Sequence, residues 1–254
     1  MNLNSIGIEI RNRTNWEAFD LGKPLLMEYK KEVYLPWFTV NFILFALIYS
    51  VCYQNPVLAL FLMWLLLPLS ERIVLFVLSR AVFGEAPTYK ETLKQWLPQL
   101  KNGIFSYNCA WRFLANRSLF LAIWQLEGLK GSQRRKRLDQ IGHKASQTAF
   151  MEGAIFATIE QLLAFSMVAL VLFFVPEGLI LWDEIFADSL SDNMPVWLFW
   201  LSSAVYWIVV ILIRPIYVAG GFTLYLHRRM VLEGWDIELQ FRSLAERLKL
   251  KSIL

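Results

Sequence analysis

Charged residues are scarce in much of this sequence, and none occurs between Val33 and Ser70. A single α-helix of that length would extend about 57 Å, nearly twice the hydrocarbon thickness of a bilayer, which is about 30 Å. The polar break Gln54-Asn55-Pro56 divides the run into a hairpin of two predicted spans, Pro36–Tyr53 and Val57–Leu78. A composition that is 57% hydrophobic is likewise typical of membrane proteins.

Cysteine and histidine are also rare, with two of each. Cys52 and Cys109 are predicted near opposite faces of the membrane, so they cannot form a disulfide within one chain and we expect free thiols. His143 and His227 are far apart and lack clustered partner ligands, so we predict no metal site. No phosphate-binding glycine loop or nucleophile elbow occurs. The expectation is a protein that is not an enzyme, with no catalytic residue and no cofactor.

Lysine and arginine are missing from residues 176–195, which carry five acids instead: Glu177, Asp183, Glu184, Asp188 and Asp192. Apart from Arg72, the basic residues fall in three other segments, 1–35, 80–150 and 214–254. Because Lys and Arg are retained on the cytoplasmic side of a membrane, both termini and the middle segment are predicted to be cytoplasmic. The acidic loop and the Gln54 turn are then predicted to lie outside. No cleaved signal is expected.

Two more spans follow the middle segment. The third is predicted at Ala154–Val175. The fourth opens at Pro195 and is free of charge to Ile213, but the uncharged stretch 216–226 leaves open a longer, tilted helix or a tail at the interface. The prediction is an all-α integral membrane helical bundle of about four transmembrane helices in one domain. Its segments are 1–35, a transmembrane hairpin 36–79, the basic segment 80–150, a second transmembrane pair 151–226 and a tail 227–254.

Amphipathic helices are predicted on the cytoplasmic side. Thr14–Glu17 and Thr88–Glu91 both match a capping box, which starts a helix. Gly22 is expected to end the first of these helices, and Pro24 to begin another that lies with it in the membrane surface. The apolar cluster Trp111–Leu126 is interrupted by arginine and is too short to span. It is expected at the interface or packed against the inner ends of the spans.

Charged residues inside spans are costly and therefore point to function or to tight pairing. Glu71 and Arg72 lie in the second predicted span and Glu160 in the third, at similar depths. We predict an intramembrane ion pair between Arg72 and Glu160. Its role is either to fix helix packing or to couple transport to a proton or substrate.

The run Arg134-Arg135-Lys136-Arg137 is the densest basic stretch. It favours a topological role on the cytoplasmic side, with contact to anionic lipid head groups as a compatible second role. Nucleic-acid binding is not expected, because no recognised nucleic-acid-binding motif accompanies it. Gly220-Gly221 is interpreted as a close helix contact or a bend.

Several short motifs resemble a family of uncharacterised bacterial polytopic inner-membrane proteins. They are residues 15–22 (NWEAFDLG), 124–129 (WQLEGL), 217–222 (YVAGGF) and 232–239 (LEGWDIEL). The resemblance implies the membrane portion of proteins grouped with envelope ATPase and von Willebrand-type partners. Some of these carry a soluble C-terminal domain, for which the 254 residues are expected to leave no room. A role that depends on that domain is therefore not carried over.

Two functions remain open at this point. The preferred prediction is a scaffold or assembly component of an envelope complex in the bacterial inner membrane, with the lipid bilayer, anionic lipids and other proteins as partners. The alternative is a small transporter or channel subunit. Its polar path would have to come from the charged residues near the inner ends, together with a few residues of the spans: Asn41, Ser50, Ser166, Ser202 and Ser203.

Overall fold

A computed structural model describes residues 13–100, 116–174 and 196–234, and it shows helices and no strand in these ranges. The helices in chain order are α1 Asn15–Asp20, α2 Gly22–Glu28, α3 Lys30–Val51, α4 Pro56–Ala81, α5 Tyr89–Leu100, α6 Arg117–Leu126, α7 Gly131–Phe173 and α8 Val196–Glu233. The predicted all-α class is therefore confirmed. The acidic loop, Cys109 and most of the tail lie outside the described residues.

Four helices, α3, α4, α7 and α8, are long and apolar enough to cross a membrane. The first two form the predicted hairpin. Asn55 caps α4 by accepting a hydrogen bond from the backbone N–H of Leu58 at 3.1 Å, and Pro56 occupies the first position, where its missing N–H costs nothing. Below, "turn end" means the end of the bundle at this turn, and "basic end" means the opposite end, where α4 ends and α7 begins.

Helices α7 and α8 are longer than the spans predicted within them. The basic run 134–137 and the third span belong to one helix of 43 residues, about 65 Å long. Helix α8 continues through Pro215 to Glu233, which is the longer of the two alternatives, and ends at Gly234 with φ of 65°. Their basic-end halves are held together, since Arg228 Nε donates to the Ile141 carbonyl at 3.3 Å.

Helix α6 lies inside the basic end of the bundle. Residues 117–124 are buried, and the apolar ones among them join the main core with α7 and α8. Of the two placements predicted for Trp111–Leu126, the described part therefore adopts packing against the inner ends of the spans. Residues 101–115 lie outside the described ranges.

Helices α1 and α2 pack against α8, and their predicted placement in the membrane surface stays a prediction. The capping box of α1 is present, with Glu17 N–H donating to Thr14 Oγ1 at 3.3 Å and Thr14 N–H donating to Glu17 Oε2 at 3.0 Å. Phe19 and Leu26 are buried in the main core with residues of α8, whereas Trp16 and Met27 stay exposed. Gly22 begins α2 and does not end α1.

Helix α5 crosses α3 and α4 near the basic end. The Tyr89 hydroxyl donates to Thr39 Oγ1 on α3 at 3.2 Å, and Trp96 Nε1 donates to the Leu69 carbonyl on α4 at 2.9 Å. Its predicted capping box is confirmed: Thr88 donates its backbone N–H to Glu91 at 2.9 Å, and this hydrogen bonding lowers the pKa of the Glu91 carboxyl.

Candidate functional site: a buried ion cluster

Four helices each bring one charged side chain to a single cluster, which we call the ion cluster: Glu71 of α4, Arg117 of α6, Glu160 of α7 and Arg214 of α8. Arg117 Nη2 lies 2.6 Å from Glu71 Oε1, and Arg214 Nη2 lies 2.6 Å from Glu160 Oε2. Arg214 Nη1 also reaches Glu71 Oε1 at 3.5 Å. The contacts connect all four helices in one chain of ion pairs.

The ion cluster is shielded from solvent. The exposed fraction is 1% for the Glu71 side chain, 2% for Glu160, 6% for Arg117 and 11% for Arg214. Helix rise puts Glu71 about 22 Å from the start of α4 and Arg214 about 27 Å from the start of α8. Both values fall short of a hydrocarbon thickness of about 30 Å. The cluster therefore lies near the basic-end boundary of the apolar layer.

Tyr217 lies between the two arginines of the cluster. Each guanidinium carbon is 5.8 Å from the centre of its ring, within the range of a cation–π contact. The hydroxyl accepts a hydrogen bond from the Ser118 N–H at 3.3 Å, next to Arg117 at the start of α6. A Cβ at Gly221 would overlap Ser118, so glycine is what lets α6 approach α8 here. The close contact predicted for Gly220-Gly221 is confirmed.

The ion cluster is electrically balanced, with two carboxylates and two guanidinium groups. Buried charges that are paired in this way are stable together, but removing one partner leaves an uncompensated charge in a low-dielectric environment. The ion pairs therefore favour one arrangement of the four helices over others.

The sequence predicts charged sites at Glu71 and Glu160 but does not identify their partners Arg117 and Arg214. The signal was present, since each arginine interrupts an apolar stretch and so needs a partner. Arg72 is fully buried, and its carbonyl accepts a hydrogen bond from Gln125 Nε2 at 3.0 Å. The pairing of Arg72 with Glu160 stays a prediction.

The basic run at the start of α7 is partly used within the protein. The Arg134 guanidinium stacks on Trp124 at 3.7 Å from the ring centre. Arg137 pairs with Glu127 at 2.9 Å and with Glu233 of α8 at 2.7 Å. Arg135 and Lys136 are exposed. Two of the four predicted lipid contacts are therefore engaged in helix packing, and two face outward.

The polar residues named for a possible transport path lie in different environments. Asn41 is buried, where it accepts from the Ser70 hydroxyl at 3.0 Å and donates to the Trp37 carbonyl at 2.8 Å. Ser50 and Ser166 are exposed and donate to carbonyls of their own helices.

One crevice does open between α4, α7 and α8 in the turn-end half of the spans. It has a volume of about 530 Å³, and its walls are apolar except for Gln161, Ser202 and Tyr206. Because Gln161 follows Glu160 directly, the basic-end edge of this crevice lies beside the ion cluster. We call it the Gln161 crevice.

No group of three or more His, Cys, Asp or Glu with the geometry of a metal site occurs within residues 13–100, 116–174 and 196–234. Cys52 is a buried free thiol, as expected. The chain matches no protein-family model, no curated protein and no solved structure. What its fold defines is a class: a multi-pass helical membrane protein.

Proposed function

We propose that the protein is a scaffold or assembly component of a complex in a bacterial inner membrane, with its basic end and both termini in the cytoplasm. The orientation rests on the distribution of Lys and Arg, which marks the cytoplasmic face of membrane proteins. The short motifs shared with bacterial inner-membrane proteins of envelope gene clusters are compatible with this role.

The observation that carries the proposal is how the ion cluster is used. Its members pair with one another and join α4, α6, α7 and α8, so the charges near the membrane hold the bundle together. Helices α7 and α8 extend past this level toward the basic end, where Arg137 and Glu233 pair. The spans and the basic-end bundle thus form one rigid unit, as presenting a partner-binding face requires.

The exposed face of α7 at the basic end is the proposed docking face. Lys136, His143 and Lys144 are exposed and recur at helical spacing, together with the uncharged Gln140 and Gln147. A positively charged face suits an acidic protein surface, because complementary charge steers association.

Site-specific photo-crosslinking in native membranes tests the proposal. A photoreactive residue at Gln140 or Gln147 is expected to capture a defined protein partner, and charge removal at Lys136 and Lys144 is expected to reduce the yield. Matched positions at Leu162 and Leu170, which are exposed on the apolar half of α7, serve as controls. Equal protein capture at all four positions, or none at Gln140 and Gln147, would contradict the docking role.

A second candidate function, transport by a small channel or carrier, is favoured by the Gln161 crevice and its closeness to Glu160. Its test is flux into liposomes that contain the full chain. Flux abolished by Gln161→Leu, with the melting temperature unchanged, would support transport. Gln161 is the better probe than Glu160 because it lies outside the ion cluster, so folding and flux can be separated.

A further inference from the structure

A second site lies on the other side of the molecule, between the start of α3 and the middle of α8. It is an open groove of about 760 Å³, which we call the Lys30 groove. Leu35 and Phe38 form one wall and Trp207 and Ile208 the other. Leu35 is 58% exposed and Phe38 48% exposed, so this surface is apolar and uncovered within the described chain.

The two walls of the groove are fixed to each other. The Tyr34 hydroxyl donates to the Leu212 carbonyl at 3.0 Å, and Trp37 Nε1 donates to the Ile211 carbonyl at 3.0 Å. The Trp37 side chain is fully buried, so this second bond is shielded from competing water. These bonds connect α3 to α8 beside the groove and hold it open as a formed feature.

Two lysines line the groove at its basic end. Lys30 and Lys31 are exposed, and within the described residues no ion pair engages either of them. The neighbouring acids Glu28 and Glu32 do not line the groove. The opening is therefore positively charged, although carboxylates lie close by in the chain.

The order of charged and apolar side chains along the groove matches one kind of ligand. The lysines stand at the first turn of α3, and Phe38 lies eight residues further along, about 12 Å toward the turn end. A positive opening that leads into an apolar wall along a membrane helix fits a phosphate head group followed by an acyl chain. We propose that the Lys30 groove binds an anionic phospholipid, with Lys30 and Lys31 on the phosphate and one chain along Leu35 and Phe38.

This site is separate from the docking face of α7 and does not depend on the scaffold role. Attraction of lysine to an anionic lipid surface is worth enough for two lysines to change affinity by about tenfold or more. A zwitterionic head group of the same size lacks the net charge. The proposal therefore predicts selectivity by head group as well as binding.

Native mass spectrometry of the full chain in mild detergent provides the test. Phosphatidylglycerol is expected to bind as a single retained lipid, about tenfold or more tightly than phosphatidylcholine with the same acyl chains. The double variant Lys30→Gln/Lys31→Gln should lose that preference. The matched control Lys90→Gln/Lys94→Gln removes two exposed lysines from α5, outside the groove and outside the basic run 134–137, and should keep it.

A second variant tests the apolar half of the site while leaving both lysines in place. Leu35→Trp fills the groove and should displace the lipid, whereas Leu162→Trp, on the similarly exposed face of α7, should not. Melting temperatures of all variants show whether each has folded. Equal binding of the two lipids, an equal loss in both charge variants, or a mass that shows a second copy of the chain bound in place of lipid would overturn the proposal.

Discussion

Arg214 is central to the ion cluster, because its guanidinium contacts both carboxylates. It lies 2.6 Å from Glu160 and 3.5 Å from Glu71. If Arg214 is removed, Glu71 still pairs with Arg117, but Glu160 loses its 2.6 Å ion pair with α8. The loss of folding stability when one charge is removed is expected to depend on which charges remain buried beside it.

Neutralising the pair should therefore cost stability in a non-additive way. Arg214→Gln and Glu160→Gln are each expected to lower the free energy of unfolding by about 3–5 kcal/mol, since each removes one side of a buried ion pair. The double variant should lose less than the sum, by about 1 kcal/mol or more. Unfolding of the four proteins in detergent micelles measures this cycle.

The control for that cycle is Lys136→Gln, which removes an exposed charge on α7 and should change stability by no more than about 0.5 kcal/mol. Strict additivity of the two cluster substitutions would show that Arg214 and Glu160 do not interact in the folded protein.

The sequence predicts the two carboxylates of the ion cluster but not the arginines that pair with them. Glu71 and Glu160 stand out because they interrupt apolar helices, and their depth follows from helix rise alone. Arg117 and Arg214 reach them only because α6 and α8 pack on those faces. Helix neighbours are set by tertiary packing, which a single sequence with four similar apolar runs does not encode in any local pattern.

At the level of helices, glycine decides how closely α2 and α8 approach. A Cβ at Gly22 would overlap the backbone of Gly220, and one at Gly220 would overlap the ring of Phe19. The sequence predicts two amphipathic helices here, but it does not predict that they contact α8.

Gly22→Ala is accordingly expected to destabilise the protein by about 1–3 kcal/mol, because the backbone of α8 cannot yield as a side chain can. Gly142→Ala is the matched control. Its Cβ would meet the hydroxyl of Ser146, a rotatable group, and the gain in helix propensity of about 1 kcal/mol offsets that contact. Thermal unfolding in one detergent compares the two, and equal losses would remove the special role of the Gly22 contact.

The length of α7 illustrates what element prediction omits. Leu138, Ile141 and Ala145 recur at helical spacing before the third span, and no proline separates them from it. The sequence pattern therefore agrees with one continuous helix, but the change from basic to apolar composition predicts that a separate helix begins near Ala154. Composition marks where the membrane begins, whereas helix continuity depends on the backbone.

For the whole molecule, burial changes from one end of the bundle to the other. Of the most apolar stretch in each span, 67% is buried in α4 but 6% in α7. Among the described residues, little protein therefore surrounds the third span, while the basic-end half of the same helix contributes Ile141 and Ala145 to the core. Most of the packing energy is concentrated at the basic end, which is also where the ion cluster and α6 lie.

Cysteine labelling in intact cells tests the proposed orientation directly. With Cys52 and Cys109 replaced, Gln54→Cys at the exposed turn should react with a membrane-impermeant maleimide from outside. Lys136→Cys, exposed at the basic end, should react only after the membrane is permeabilised. Leu162→Cys should react in neither case, because the apolar layer covers it and a thiolate is required.

The opposite labelling pattern would place the basic end outside, and the docking face of α7 would then have to meet a partner there. Reaction at both positions in intact cells would mean that the hairpin does not cross the membrane. Misfolding can be distinguished from these outcomes by stability, because the folded bundle requires the ion cluster to remain buried. A preserved melting temperature in each cysteine variant therefore makes the labelling pattern a statement about orientation alone.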